Sequence, residues 1–269
     1  DNKNILIWET QSGKVVRNLV GQGQSVYGIG IDETSDKIAL GQNNPSGNLD
    51  DIALEKTFDF AAFELNDFES NSNFHGSKKA NGNQFLSKES GNSLSFGGNA
   101  IFTDAAKDGT LRSYSFTNDG QSITVGSTYS LNRYRTSGEL MGSFNGHTGE
   151  VWALAEHVSQ DLLFSGSGDQ SIKIWNNLTG ENLATLFVST DNEWVIWTPQ
   201  GYYEASAGGE KYIGWHVNKG SNQLAEFHDV ASFSAKFHRR DVVEAMLSQK
   251  SFAVVAENMG LKTLEEEQI

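Results

Sequence analysis

The sequence predicts an all-β fold of short antiparallel strands, and three observations support this prediction. The 269 residues include 28 glycines and 2 prolines, which is typical of a chain with many tight turns. Aromatic residues make up 11% of the chain, and aromatic side chains favour strands. A strand-like run that ends in an aromatic residue and is followed by a turn recurs about every 40 residues.

The recurring unit is clearest at Trp175, which ends the run Ser-Ile-Lys-Ile-Trp and precedes a turn with Gly180. Trp215 lies 40 residues later and Tyr134 lies 41 residues earlier, and Trp8 has similar surroundings. A unit of this length with four short strands is one blade of a β-propeller. The predicted propeller covers 1–228, with blades near 1–20 (partial), 24–66, 67–106, 110–144, 150–188 and 192–227.

A second feature keeps the same spacing along the chain. In several units a turn precedes a strand that ends in glycine or another small residue. Asp36 comes before the run 37–41, and Asp161 comes before the run 162–166. The agreement of two independent features in one register strengthens the prediction of repeated blades.

About five and a half blades fit the chain. The run Ile5 to Trp8 and the strand after it supply only the outer half of a first blade. We therefore expect the chain to be a fragment of a larger disc, since a domain seldom begins directly before a core strand. Propellers have about four to eight blades, and we expect the complete disc to have about seven.

The repeat is lost after about residue 228, and 229–269 is predicted to be a helical extension and linker. Asp241 and Glu244 have the spacing of a capping box, with Asp241 as the N-cap of a first helix. A second helix is predicted over 251–260, ended by Gly260. We expect these helices to pack on the propeller without continuing it.

The segment from Gly146 to Trp175 resembles a WD40 repeat, because its Gly-His dipeptide, Gly-Asp turn and final tryptophan are all in register. The resemblance implies a buried hydrogen-bonded tetrad of His147, Ser165, Asp169 and Trp175. A buried imidazole and a buried indole each need a hydrogen-bond partner, and a turn aspartate supplies acceptors. Asn176 departs from the family pattern, which usually has aspartate there, but this position lies outside the tetrad.

A narrower resemblance covers roughly residues 110–250. Runs such as 194–203, 208–216 and 239–243 resemble the C-terminal propeller region of bacterial WD40 proteins that continue into a caspase-like (peptidase family C14) domain. The resemblance implies a sensor or regulatory scaffold joined to a Cys-His protease. This chain has no cysteine, so the protease nucleophile would lie outside it.

The charge balance disfavours two classes of partner. The chain carries 20 Lys+Arg against 34 Asp+Glu, a formal net charge of -14, which repels nucleic acid and anionic membranes. No apolar run approaches the roughly 18 residues that span a bilayer, and no signal peptide is visible. The lack of cysteine excludes disulfides and thiolate metal sites, so we expect a cytoplasmic location. No cofactor or small-molecule substrate is indicated.

Several side chains invite a catalytic or metal-binding interpretation. His147, Ser165 and Asp169 have the residue types of a catalytic triad, but Ser165 lies in mid-strand, where a nucleophile is not exposed. His216, His228 and His238 are 12 and 10 residues apart, which matches neither a helical nor a zinc-finger spacing. The expected assignments are therefore a structural tetrad, no catalytic residue and no metal ligand.

Four residues are candidate contacts for a protein partner. Trp152 and Trp194 could serve as aromatic anchors, and Arg239 and Arg240 end the one basic cluster of this acidic chain. Trp194 and Trp197 are three residues apart, so on one strand they point to opposite faces and one of them is expected in the core.

Two functions from different classes remain. The first is a non-catalytic scaffold for other proteins or linked domains, in which rigid strands display the loops that meet partners. The alternative is a propeller enzyme of glycosidase or lactonase type, which needs carboxylates that converge on the central channel. Asp32, Asp59 and Glu204 are the candidates for that role. Their position at one channel mouth would favour an enzyme, and scattered positions at turns would favour a scaffold.

Overall fold

The computed structural model describes residues 4–8, 15–20, 22–44, 46–47, 52–70, 73–217 and 226–261, with the backbone alone for 4–8, 15–20, 216–217 and 226–227. Apart from short helices near the C-terminal end, the elements are antiparallel strands, so the predicted fold class, an all-β propeller of WD40 type with a helical extension, is confirmed. The strands are β1 Asn4–Trp8, β2 Val15–Val20, β3 Gly28–Asp32, β4 Lys37–Gly41, β5 Lys56–Asp59, β6 Glu64–Asp67, β7 Ala80–Asn81, β8 Gln84–Phe85, β9 Ser87–Lys88, β10 Ser93–Phe96, β11 Asn99–Phe102, β12 Leu111–Phe116, β13 Ser122–Ser127, β14 Leu131–Arg135, β15 Leu140–Ser143, β16 Val151–His157, β17 Leu162–Ser167, β18 Ser171–Asn176, β19 Asn182–Val188, β20 Trp194–Trp197, β21 Tyr203–Ala205, β22 Gly214–Val217 and β23 Glu226–Asp229.

Two of the sheets are four-stranded blades, with strand orders β3-β4-β5-β6 and β12-β13-β14-β15. A third sheet begins with the four strands β16-β17-β18-β19 of the best-formed repeat. The region between the first two contains shorter strands, in a β7-β8 hairpin and a β11-β10-β9 sheet. β1 and β2 form a separate hairpin.

Backbone and side-chain hydrogen bonds link the units into a closed circle around a central cavity. β3 exchanges two backbone hydrogen bonds with the segment at His75, and Lys78 in the same segment accepts one from Phe116 of β12. The Ser113 hydroxyl donates to the Val151 carbonyl, which joins β12 to β16. The Val26 amide donates to the Ser167 carbonyl, which brings the circle back to the segment before β3. This cavity is open to solvent and has a volume of about 890 Å³.

Small residues near the ends of the second strands make this circle possible. A Cβ atom on Gly126 would lie 2.8 Å from the Val151 carbonyl oxygen, and one on Gly166 would lie 3.0 Å from the Val26 carbonyl oxygen. The backbone of each neighbouring unit therefore approaches where a larger residue would collide with it. At Gly126 and Gly166 the recurring glycine is therefore a point of contact between neighbouring units.

The structure differs from the predicted separate blade over 192–227. β20 and β21 extend the preceding sheet, which becomes β16-β17-β18-β19-β20-β21. Among the described strands, β22 pairs with β23 alone. The cause is a tight turn, in which the Ser189 amide donates to the Glu193 carbonyl and Asn192 adopts a φ of 64°. The chain folds directly back onto β19 as a hairpin, and a 3-10 turn, Gly209–Tyr212, separates β21 from β22.

The C-terminal extension consists of a 3-10 turn, Val230–Ser232, and the helices α1 Ser234–Phe237, α2 Arg240–Gln249 and α3 Phe252–Met259. The predicted helices are confirmed, and α3 ends before Gly260, whose φ of 62° is left-handed. Residues 262–269 of the predicted linker lie outside the described residues.

The predicted capping box is wrong. α2 has Arg239 at its N-cap position and no side-chain cap, and Asp241 lies in the first turn. The Asp241 carboxylate instead accepts hydrogen bonds from the Arg239 guanidinium at 2.6 and 2.7 Å. Glu244 is bonded to Arg240 and therefore does not reach back to the N-terminus of the helix.

The helices dock on one end of the strands, where the β16–β17 and β18–β19 turns lie. Val242, Val243 and Met246 are fully buried in the same core as β19 and β21. The Asn176 side-chain amide donates to the Lys250 carbonyl at 3.1 Å. The extension thus covers this end of the propeller, and the opposite end is where β16 begins.

We expect Val243→Ala to lower the free energy of unfolding by about 1–3 kcal/mol, because it removes buried methyl groups and leaves a cavity under α2. Val254→Ala in α3 is the matched control, since that side chain is 44% exposed. Urea denaturation of both variants measures the difference. Equal stabilities of the two variants would contradict the docking of α2.

Candidate functional site

The WD40-like segment forms a continuous chain of hydrogen bonds. His147 lies in the loop before β16, and its Nδ1 is 2.7 Å from Asp169 Oδ2 in the β17–β18 turn. His147 Nε2 is 2.8 Å from the Ser165 hydroxyl, which also accepts from the Trp175 indole N–H at 2.8 Å. The four residues of the predicted tetrad are therefore together in one network that joins a loop, a turn and two strands.

The environment of Asp169 keeps its carboxylate ionised. Burial opposes ionisation, but the hydrogen bond and charge of His147, together with bonds from Ser171 and the Thr148 amide, outweigh it and hold the pKa of Asp169 well below its usual range. Asp169 thereby fixes the loop that carries His147, and it also fixes the β17–β18 turn in which Asp169 itself lies.

This geometry does not suit nucleophilic catalysis. Ser165 and Trp175 are fully buried, and the His147 side chain is 4% exposed. The Ser165 hydroxyl is held between the imidazole and the indole, so no substrate carbonyl can reach it. The arrangement is that of a structural network in the blade.

A second group of residues lies where β16 begins, at the mouth of the central cavity. The Arg112 guanidinium carbon is 4.8 Å from the centre of the Trp152 ring, and the Tyr27 and Trp152 ring centres are 5.5 Å apart. Arg112 also donates to Glu150 at 2.6 Å. Trp152, Tyr27 and Arg112 are all half-buried, so part of each side chain remains open to solvent.

These residues occupy the same position in three different units. The strand pairs Gly28↔Gly41, Ser113↔Gly126 and Ala153↔Gly166 align the first two strands of each unit. The residues directly before Gly28, Ser113 and Ala153 are Tyr27, Arg112 and Trp152. Sequence reasoning found only Trp152, but the repeat register itself carried the signal for the other two.

The remaining candidate contacts are placed differently. Trp194 is 6% exposed and packs edge-to-face against Phe58 at 5.0 Å, so its prediction as a partner anchor is wrong. Arg240 donates to the carbonyls of Ala61 and Ala62, which ties α2 to the β5–β6 turn. Because Arg239 is bound to Asp241, both arginines make contacts within the chain rather than forming a free basic patch.

The three carboxylates of the enzyme alternative are scattered, two of them at turns and one on a strand. Asp32 accepts bonds from Thr34 and Ser35 in the β3–β4 turn, and Asp59 accepts from two amides in the β5–β6 turn. Glu204 lies on β21 and faces His238 at 3.0 Å. None of the three lines the central cavity, which by the criterion above favours the scaffold.

Within the described residues, no three histidine or acidic side chains come together in a way that would hold a metal ion. His238 contacts Glu204 and Glu210, and the side chain of His216 lies outside the described residues. Among the described helices none has the length and hydropathy of a membrane span.

Comparison with known proteins identifies the repeat. Residues 138–176 match the family model "WD domain, G-beta repeat". Curated relatives include eukaryotic translation initiation factor 3 subunit I from several organisms. The Bombyx mori protein is 44% identical over 50 residues, which are 19% of this chain and 15% of that protein. The Aspergillus oryzae protein is 34% identical over 68 residues, which are 25% of this chain and 20% of that protein. The matched stretch thus spans a fifth or less of these relatives.

A chain in the crystal structure of the mitotic checkpoint complex covers 77% of this chain and 69% of its own length, at 16% identity and a TM-score of 0.36. That score is too low to support an argument about this protein. The match over 138–176 shows that the chain contains a WD40 repeat, and it includes all four tetrad residues.

We expect Asp169→Asn to lower the free energy of unfolding by about 1–3 kcal/mol at pH 7, because the network loses a charged acceptor. Since the folded-state pKa of Asp169 lies below its ordinary value of 3.8, this contribution is fully present above pH 3.8 and is lost as the pH falls further. The gap between wild type and variant should therefore narrow in acid.

Urea denaturation between pH 7 and pH 3 measures this gap. Asp161→Asn is the control, since Asp161 is half-exposed in the β16–β17 turn of the same repeat and lies outside the network. A gap that is constant with pH, or equal in the two variants, would contradict the role given to the Asp169 charge.

Proposed function

We propose that this chain, which contains a WD40 repeat, is a non-catalytic scaffold that binds a partner protein at the mouth of its central cavity. The observation that carries the proposal is the convergence of Tyr27, Arg112 and Trp152 there. Three separate units each contribute a large side chain from the same repeat position. We propose a cytoplasmic location for this activity, on the basis of the cysteine-free composition.

The chemistry of this mouth suits protein recognition. Tryptophan, tyrosine and arginine are the residue types that most often dominate binding energy at protein interfaces. Here the Arg112 side chain holds the Trp152 ring in place from one side and is itself fixed by Glu150. Rings held in this way lose little conformational freedom on binding, which favours affinity.

Charge narrows the class of partner. The chain as a whole is strongly acidic, yet the central cavity is lined by Lys79, Lys88 and Arg112 with one carboxylate, Glu150. Burial and the neighbouring Arg112 charge lower the pKa of Lys88, so an added negative charge would be favourable there. The proposed partner segment therefore carries acidic side chains toward the cavity.

The C-terminal helices leave this site uncovered, because they dock at the other end of the strands. The C-terminal helices dock at the end of the strands that carries the β16–β17 and β18–β19 turns. Trp152 lies at the other end of β16, away from them. The matched relatives are named as subunits of an initiation factor, and part of an assembly is the role proposed for this chain as well.

In a pull-down from an extract of its source cells, we expect the tagged wild-type chain to retain a partner protein. We expect the Trp152→Ala variant to lose that protein. Truncation of a central aromatic anchor costs about 2 kcal/mol or more in binding. Leu178→Ala is the control, since this side chain is 77% exposed in the β18–β19 turn at the opposite end. Quantitative mass spectrometry and then titration of the purified pair measure the loss. Equal retention of every bound protein by both variants would contradict the proposed site.

We further propose that the intact protein is bacterial and that the propeller regulates a linked caspase-like effector. The support is the resemblance of the runs 194–203, 208–216 and 239–243 to such proteins. We expect the complete open reading frame to encode a domain with a paired cysteine and histidine. A complete reading frame without that pair would overturn this part of the proposal and leave the scaffold unaffected.

A further inference from the structure

A separate cavity of about 370 Å³ lies between the last strands and the 3-10 turn Gly209–Tyr212. Four aromatic residues line it: Trp197, Tyr203, Tyr212 and Trp215. They come from β20, β21, the 3-10 turn and β22, the region where the chain departs from the blade pattern. Tyr203 is fully buried, and the other three are half-buried around it.

Carboxylates lie behind two of these rings. The Tyr203 hydroxyl donates to Glu210 at 2.8 Å, and the Tyr212 hydroxyl donates to Asp191 at 2.8 Å. Hydrogen bonds from Lys211, Ser189 and Tyr212 hold the pKa of Asp191 well below its usual range, so it stays negatively charged. A phenol that donates to a carboxylate is polarised toward phenolate, which makes the face of its ring more negative.

The ring of Tyr212 already has a cation near it within the chain. The Lys211 ammonium lies 4.8 Å from the centre of the Tyr212 ring, at the range of a cation–π contact. Tyr203 stacks on His238 with its centre 4.9 Å away and an angle of 17° between the planes, which fixes the orientation of the tyrosine ring.

We propose that this aromatic cavity binds a quaternary ammonium group. The lining consists of aromatic rings, two glycines, Ile213 and Val230, with no carboxylate among them. A primary ammonium would lose its hydrogen bonds to water in such a site, whereas a quaternary ammonium has no N–H to satisfy. Its diffuse charge instead interacts with the faces of the aromatic rings.

The experiment is a calorimetric titration of the whole chain with choline. The neutral compound 3,3-dimethylbutan-1-ol is the comparison, because it has the same shape without the charge. We expect choline to bind about tenfold or more tightly than the neutral compound. A glycine-flanked trimethyllysine peptide, titrated in parallel, distinguishes a peptide source of the group from a free one. Equal binding of choline and its neutral isostere, or no binding of any ammonium probe, would overturn the proposal.

Two pairs of variants assign the binding to this cavity. Trp215→Leu should weaken choline binding about tenfold, and Trp215→Phe, which keeps a ring on Phe237, should restore part of it. Tyr212→Leu should weaken binding, and Tyr129→Leu, at a side chain that is 71% exposed elsewhere, should leave it unchanged. Circular dichroism shows whether each variant is folded, and if Trp215→Leu is not, the tyrosine pair decides. Wild-type affinity in folded Tyr212→Leu and Trp215→Leu would contradict the site.

Discussion

The hydrogen-bonded chain from Asp169 through His147 and Ser165 to Trp175 is the interaction on which the functional end of this protein depends. It ties the loop before β16 to the turn and strands of the same blade. Since Trp152 follows this loop by a few residues, the position of that ring at the cavity mouth is set by the network. A buried network with every member satisfied is costly to break, which keeps the loop in one conformation.

The contacts between units carry that local order around the molecule. Gly126 and Gly166 let the backbone of a neighbouring unit approach closely, at Val151 and at Val26, so the starts of three units are brought to the same cavity mouth. Tyr27, Arg112 and Trp152 converge for this reason. A repeated fold thus produces a composite site from residues far apart in the chain, without any one unit containing it.

The departures from the repeat are as informative as the repeat itself. The tight turn at Ser189–Glu193 returns the chain onto β19, and the following segment is free of the constraints of a regular blade. It uses tryptophan and tyrosine to line a small cavity, and α1 and α2 cover the neighbouring core. Trp194 and Trp197 lie on the same strand but serve different parts of the molecule. Trp194 packs in the core, and Trp197 lines the small aromatic cavity.

The sequence by itself determined the fold class and the position of the best blade, and the resemblance of that blade to a WD40 repeat indicated the four members of its network. These depend on local patterns, namely strand alternation, turn residues and the register of one repeat, and local patterns are readable in a chain. It also determined that helices follow the strands and that Gly260 ends the second one, but not the N-cap of α2, because Arg239 competes successfully for the Asp241 carboxylate. Only the tertiary structure decided that β20 and β21 extend an existing sheet, that Trp194 is core, and that Tyr27 and Arg112 join Trp152. Each of these is a choice between partners distant in sequence, and such choices depend on which surfaces meet when the units pack.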